Sequence, residues 1–137
     1  MIVKDEAPRV RATLDSARPH VDSWAVLDTG STDGTQALVR AAMSGSPGVL
    51  REGAFVDFAS ARNRALDLVE EDAQRPVFSL MLSADEVLEG GADLRKFLDG
   101  RRDSSEGALD LEIRSLDDVW TYPSVLRAGA PCRYEGV

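Results

Sequence analysis

The sequence predicts an α/β protein built on a mostly parallel sheet with helices on both faces, and three observations carry that expectation. A short apolar run, Trp24-Ala25-Val26-Leu27, ends at Asp28 and meets a glycine turn at once. Leu38, Val39, Ala42 and Met43 then fall on one helical face. A second apolar run, Val77-Phe78-Ser79-Leu80-Met81-Leu82, leads straight into Ser83-Ala84-Asp85-Glu86. Strands alternating with helices are the pattern of a parallel sheet covered by its own crossovers.

Taken in order, Met1-Ile2-Val3-Lys4 reads as the tail of a strand. Pro8 opens a helix with Val10, Leu14 and Ala17 on one side, and Arg18-Pro19 stops it. The turn over residues 29–34 holds hydroxyl and carboxylate side chains suited to capping the helix that follows. Residues 44–48 end that helix, and Val49-Leu50 begins a weak third strand. Asp57 is placed to cap a helix whose inner face is Phe58, Arg62, Ala65, Leu66 and Val69, with arginine the odd member. A short helix spans Leu94 to Leu98. Leu109, Leu111 and Ile113 alternate with Asp110, Glu112 and Arg114, the signature of a half-exposed strand. Val125-Leu126-Arg127 and Cys132-Arg133-Tyr134-Glu135 read as a strand pair around residues 128–131.

Composition bounds the function classes. The 137 residues suit one domain, 1–137, and 43% hydrophobic with 29% charged content is that of a folded globular chain. A net charge of −8 without a basic stripe argues against nucleic acid as a partner. Cys132 is the only cysteine and His20 the only histidine, which excludes an internal disulfide and a Cys/His zinc site. His20 reads as a surface or loop residue and Cys132 as a small half-buried hydrophobe. No apolar run approaches the ~18 residues of a membrane span, and no signal-peptide layout is present, so a cytoplasmic setting is the expectation.

The segment Asp28-Thr29-Gly30-Ser31-Thr32-Asp33-Gly34-Thr35 is the most informative stretch. It lacks the Lys-Ser/Thr of a phosphate-binding P-loop and the spaced glycines of a dinucleotide fingerprint. Asp33 stands where a calcium loop needs glycine. Ligands of open α/β sheets bind beyond the carboxyl ends of the strands, and Asp28 and Asp85 are both expected at such ends. A well-capped strand-to-helix turn remains the plain alternative for the first, and a loop acid for the second.

Met1-Ile2-Val3-Lys4-Asp5-Glu6, then residues 27–35, then Ala61-Arg62-Asn63, then Ser83-Ala84-Asp85-Glu86 occur in the order and approximate spacing of family-two glycosyltransferases, which the chain resembles over nearly its whole length. The resemblance implies the GT-A nucleotide-diphospho-sugar transferase architecture, inverting glycosyl transfer and a nucleotide-diphosphate sugar donor with an unknown acceptor. It implies substrate contacts at Lys4, Glu6, Asp28, Gly30, Ser31, Arg62, Asn63 and Ser83, and a divalent Mg or Mn ion held by Asp85. Ser83 departs from the family's Asp-x-Asp, since serine replaces the first acid. Arg62 would meet pyrophosphate or Asp85, with a salt bridge to Asp57 as the structural alternative, and Asn63 would touch donor or support the loop. Glu135 and Glu86 offer no well-placed catalytic base, so the chain reads as a donor-binding portion with the acceptor half missing. Two other readings stay open: a non-catalytic nucleotide- or partner-binding module of the same fold, and an unrelated α/β regulatory domain.

Overall fold

The computed structural model describes residues 1–72, 75–115 and 117–136. Its elements run β1 (Ile2–Val3), α1 (Val10–Ala17), a 3-10 turn (Arg18–His20), β2 (Trp24–Asp28), α2 (Thr35–Ala42), β3 (Gly48–Glu52), α3 (Phe58–Glu70), β4 (Phe78–Leu80), α4 (Gly91–Asp99), β5 (Ala108–Arg114) and β6 (Val119–Arg127).

Side-chain alternation along the first strands builds two cores. Ile2 and Leu27 point to one face of the first sheet, Val3 and Val26 to the other, as the period of two in a strand requires. Val3 and Val26 meet Val10 and Leu14 of α1 and Val39 and Ala42 of α2. Leu27 meets Ala61, Ala65 and Leu66 of α3, together with Met81, just past β4, and Leu126 of β6. Asp57 caps α3 by accepting from the Ser60 N–H at 2.6 Å, which fixes where that helix begins.

The expectation of one mostly parallel sheet, and with it the GT-A architecture, is corrected here. Among the described residues there are two three-stranded sheets, one ordered β1-β2-β3 and parallel, the other ordered β4-β6-β5 and antiparallel. The physical reason lies in β1 and β6. β1 contributes two residues, Ile2 opposite Leu27 and Val3 opposite Asp28, and no ladder joins it to β4. β4 pairs instead with β6, the return strand of a long hairpin with β5. Residues 132–135 also differ from expectation. They form no strand, because the ladder sites beside Val125 and Leu126 are taken by β5 and β4. His20, expected on the surface or in a loop, ends the 3-10 turn and is half-buried, and its ring lies so close over Gly91 that a Cβ there would come within 2.2 Å.

Among the described residues no helix is long and apolar enough to cross a membrane.

Candidate functional site

The carboxyl ends of β1 and β2 carry two polar loops that are laced together by hydrogen bonds. The Asp5 N–H donates to the Ser31 hydroxyl at 2.9 Å, and the Thr32 N–H donates back to Asp5 Oδ1 at 2.8 Å. The Glu6 N–H reaches Thr35 Oγ1 at 2.8 Å, and the Ala7 N–H reaches Asp33 Oδ2 at 2.9 Å. Asp33 also accepts from the Thr35 hydroxyl and N–H, and these bonds hold its carboxyl below the usual carboxylate range. The sharp turn is made possible by Gly30 at φ +108° and Gly34 at φ +93°, a left-handed region that side chains with a Cβ avoid.

Asp28 sits at the centre of this lacework, at the last position of β2, and is 0% exposed. Its Oδ1 accepts from the Gly30 and Ser31 N–H groups, each at 2.8 Å. Burial pushes its pKa up, but the Ser31 hydroxyl, the two N–H groups and Gln36 outweigh burial and bring it below the ordinary value. The group is therefore a buried anion, and its Oδ2 makes no hydrogen bond. Glu6 Oε2 also lacks one, but the Arg9 guanidinium lies 3.3 Å away as an ion-pair partner. Leaving a buried carboxylate oxygen unsatisfied costs on the order of 1–3 kcal/mol.

Of the predicted contact residues, the fold brings Glu6, Asp28, Gly30 and Ser31 together, with Lys4 exposed beside them. The Ser83 loop is held against the same part of the fold by a different route. Ala84 packs in the cluster of Val3 and Val10, and the buried Thr13 hydroxyl donates to its carbonyl at 2.8 Å. Within that loop Glu86 is fully engaged. It accepts from the Ser83 N–H at 2.8 Å and from the Tyr122 hydroxyl at 2.9 and 3.1 Å, and burial followed by this anion raises the Tyr122 pKa. Tyr122 was not foreseen, because the strand that carries it was missed.

Arg62 meets neither Asp85 nor Asp57. Its guanidinium lies between two rings, 5.7 Å from the centre of Phe58 and 5.4 Å from that of Tyr134. Asn63 takes the supporting role: its amide donates to the Tyr134 carbonyl at 2.9 Å and its Oδ1 accepts the Tyr134 N–H at 2.8 Å. These two bonds replace the missing strand ladder in pinning residues 132–135. Arg127 is likewise structural, donating to the carbonyls of Arg101, Arg102 and Glu106.

The divalent ion expected at Asp85 does not fit the residues present. Asp85 is a lone exposed carboxylate, Ser83 brings no charge, and Glu86 is already spent. Among the described residues no three His, Cys, Asp or Glu side chains converge as a metal site.

Comparison with known proteins corrects the family resemblance. No family model matches the chain. It is similar to the TPR repeat-containing protein Synpcc7942_0270 of Synechococcus elongatus, 39% identical over 101 residues, covering 72% of the chain and 23% of that protein. The chain thus spans under a quarter of the relative it matches. That relative is named for its repeats and not for glycosyl transfer, so membership of the family-two glycosyltransferases, and the metal and nucleotide-sugar labels drawn from it, are not upheld. Nor is this chain itself a repeat array. Such repeats are helix pairs recurring every ~34 residues, whereas among the described residues four α-helices are interspersed with six strands.

Proposed function

We propose that the loops after β1 and β2 bind a nucleoside diphosphate, the portion an activated sugar donor presents in glycosyl transfer, with Asp28 as the anchoring acceptor. The observation that carries this reading is the buried, ionised Asp28 with one oxygen lacking a donor. A base N–H or a ribose hydroxyl supplies a donor of the right kind, and a charge-assisted bond of this type is roughly twice as strong as a neutral one. Ser31 and Gln36, both half-buried beside it, are the side chains that must turn aside to admit the ligand. Glu6, next to Asp28 across the loop lacework, is the second acceptor. In this reading the chain holds a donor and supplies no base of its own, since Glu86 is committed to Ser83 and Tyr122.

Calorimetric titration of UDP, GDP and dTDP, with and without manganese, tests it on the wild type, Asp28→Asn and Asp85→Asn. One nucleotide is expected to bind, with affinity falling about tenfold or more in Asp28→Asn, as loss of a charge-assisted hydrogen bond of ~1.5–3 kcal/mol implies. Binding unchanged by Asp28→Asn, or none at all, overturns the assignment. Manganese dependence lost in Asp85→Asn gives that carboxylate a role in neutralising the diphosphate, and metal-independent binding leaves it outside the site.

A second reading has its own support. The similar protein is named for TPR repeats, and the chain matches 23% of it, which favours a module that works beside a partner-binding array. Co-purification of this chain with a separately expressed repeat segment of that relative, in the absence of nucleotide, supports this reading.

A further inference from the structure

The loops around Asp28 are rich in negative charge. Asp5, Glu6, Asp28 and Asp33 share one hydrogen-bonded lacework, so the diphosphate of a nucleotide held there needs positive charge from outside it. Asp85 gathers no metal site among the described residues, and the Arg9 guanidinium is already paired with Glu6 at 3.3 Å. Arg62 is placed differently. Its neighbour Ala61 shares a cluster with Leu27, the residue before Asp28. Its guanidinium lies 5.7 Å from the centre of the Phe58 ring and 5.4 Å from that of Tyr134. Phe58 opens α3, close to where the chain leaves β3 beside Asp28, since the Gly53 N–H donates to the Asp28 carbonyl at 2.8 Å. Phe55 braces the Phe58 ring edge-on, with centroids 5.2 Å apart. Tyr134 approaches from the second sheet. Its hydroxyl donates to the Pro123 carbonyl at 3.3 Å, beyond the Val125 that pairs with the last residue of β4. Both rings thus stand at the carboxyl ends of the strands beside them, the end at which Asp28 closes β2.

Other arginines are committed. Arg95 and Arg133 pair with carboxylates, and Arg18 and Arg127 donate to carbonyls. Arg62 is half-buried, and among the described residues no carboxylate pairs with it and no carbonyl accepts from it. An aromatic face holds a guanidinium by its plane and leaves the N–H edge open. That edge is a rigid fork of donors, which fits two phosphate oxygens at once. A half-buried cation with no anion beside it also gains more from such a partner than a solvated one does. We infer that the Arg62 guanidinium, clamped by Phe58 and Tyr134, receives the diphosphate of the nucleotide anchored at Asp28. A side-chain cation then supplies the charge that a divalent ion at Asp85 was expected to bring, and binding needs no metal. This inference rests on the reading of Asp28 as the nucleotide anchor.

The test uses the 137-residue chain in EDTA, with inorganic pyrophosphate as one probe and the pairs uridine/UDP, guanosine/GDP and thymidine/dTDP as the others. Pyrophosphate is expected to move the Arg62 Nε–H resonance saturably, the resonance being assigned by its loss in Arg62→Gln. Calorimetry should show pyrophosphate binding about tenfold or more weaker in Arg62→Gln, with part of the loss recovered in Arg62→Lys. One diphosphate is expected to bind about tenfold or more tighter than its nucleoside, and Arg62→Gln should remove that advantage while leaving nucleoside affinity unchanged. An advantage that survives Arg62→Gln, or that appears only when manganese replaces EDTA, overturns the proposal. So do lysine and glutamine variants that behave alike, which would mean that packing and not charge was lost. No pyrophosphate response up to millimolar concentration, with nucleoside binding still sensitive to Asp28→Asn, overturns the Arg62 proposal alone. Pyrophosphate binding at Arg62 without any nucleoside binding supports the Arg62 site and overturns the Asp28 reading.

Discussion

The two ends of the parallel sheet handle the same problem, what to place beyond the strands, in opposite ways. At the carboxyl end the loops after β1 and β2 cross-link through side chains, and nearly every buried polar group finds a partner. Asp28 Oδ2 is the exception, with neither a hydrogen bond nor an ion pair, whereas Glu6 Oε2 has the Arg9 guanidinium. At the amino end a largely apolar slot of about 490 Å³ lies between β2 and β4. The contrast separates two kinds of incompleteness. The polar end lacks one hydrogen-bond donor at a buried carboxylate, whereas the apolar end leaves volume unfilled between two strands.

The sharpest way to break this contrast is to enlarge the apolar end. Leu66 lines the slot, is 5% exposed and belongs to the core that joins the two sheets. Leu66→Ala is expected to cost about 2–5 kcal/mol in urea unfolding. A cost under ~1 kcal/mol would mean that the slot collapses freely and is no preformed cavity.

Next in size is the response of that end to pH. The Met1 amino group has an ordinary pKa of 8.0 and one of about 6 in the folded chain. Between those values the unfolded state binds more protons, so stability rises as pH increases from about 6 to 8 and is level on either side. Two units correspond to about 2–3 kcal/mol. N-terminal acetylation removes the charge and should flatten this rise, measured as the difference in urea midpoint between pH 6 and pH 8. A rise that survives acetylation comes from another group.

At the polar end, Asp28→Ala strands the Gly30 and Ser31 N–H groups, at a cost of about 1–3 kcal/mol. Asp28→Asn keeps an acceptor and should cost visibly less; equal losses would show that charge, and not the two N–H bonds, holds the turn. Because hydrogen bonds lower the Asp28 pKa, its share of stability is present above the unfolded carboxylate value and is lost as pH falls through the folded one, opposite in sign to the Met1 effect. The smallest expected change is Thr13→Val, about 0.5–1.5 kcal/mol, from removing the donor to the buried Ala84 carbonyl. Under the proposed function it should also loosen the Ser83 loop, read as faster amide exchange over residues 83–86.

Elements defined by local chemistry were the legible ones. The apolar face of α1, the Asp57 cap, the run that becomes β4 and the alternation of β5 each depend on residues within a few positions of one another. The gathering of Glu6, Asp28, Gly30 and Ser31 was also legible, since the strand ends that carry them are adjacent once β1 and β2 pair. The strand over residues 119–122 was not. Thr121 and Pro123 interrupt its pattern, and it exists because β5 offers a ladder to pair with. Arg62 between Phe58 and Tyr134 was hidden for the same reason, as Tyr134 is brought there by its two bonds to Asn63, 71 residues away.

The sequence by itself determined the apolar faces of α1 and α2, the runs that become β2 and β4, and that Asp28 stands at a strand end in a glycine turn. Hydrophobic period and turn chemistry are local, and they act before any distant contact forms. Only the tertiary structure decided that the strands divide into two sheets, that Glu86 is held by Tyr122, and that a slot separates β2 from β4. Those outcomes turn on which edge finds which partner. Backbone hydrogen bonds are the same at every residue, so that competition is settled by packing across the whole chain.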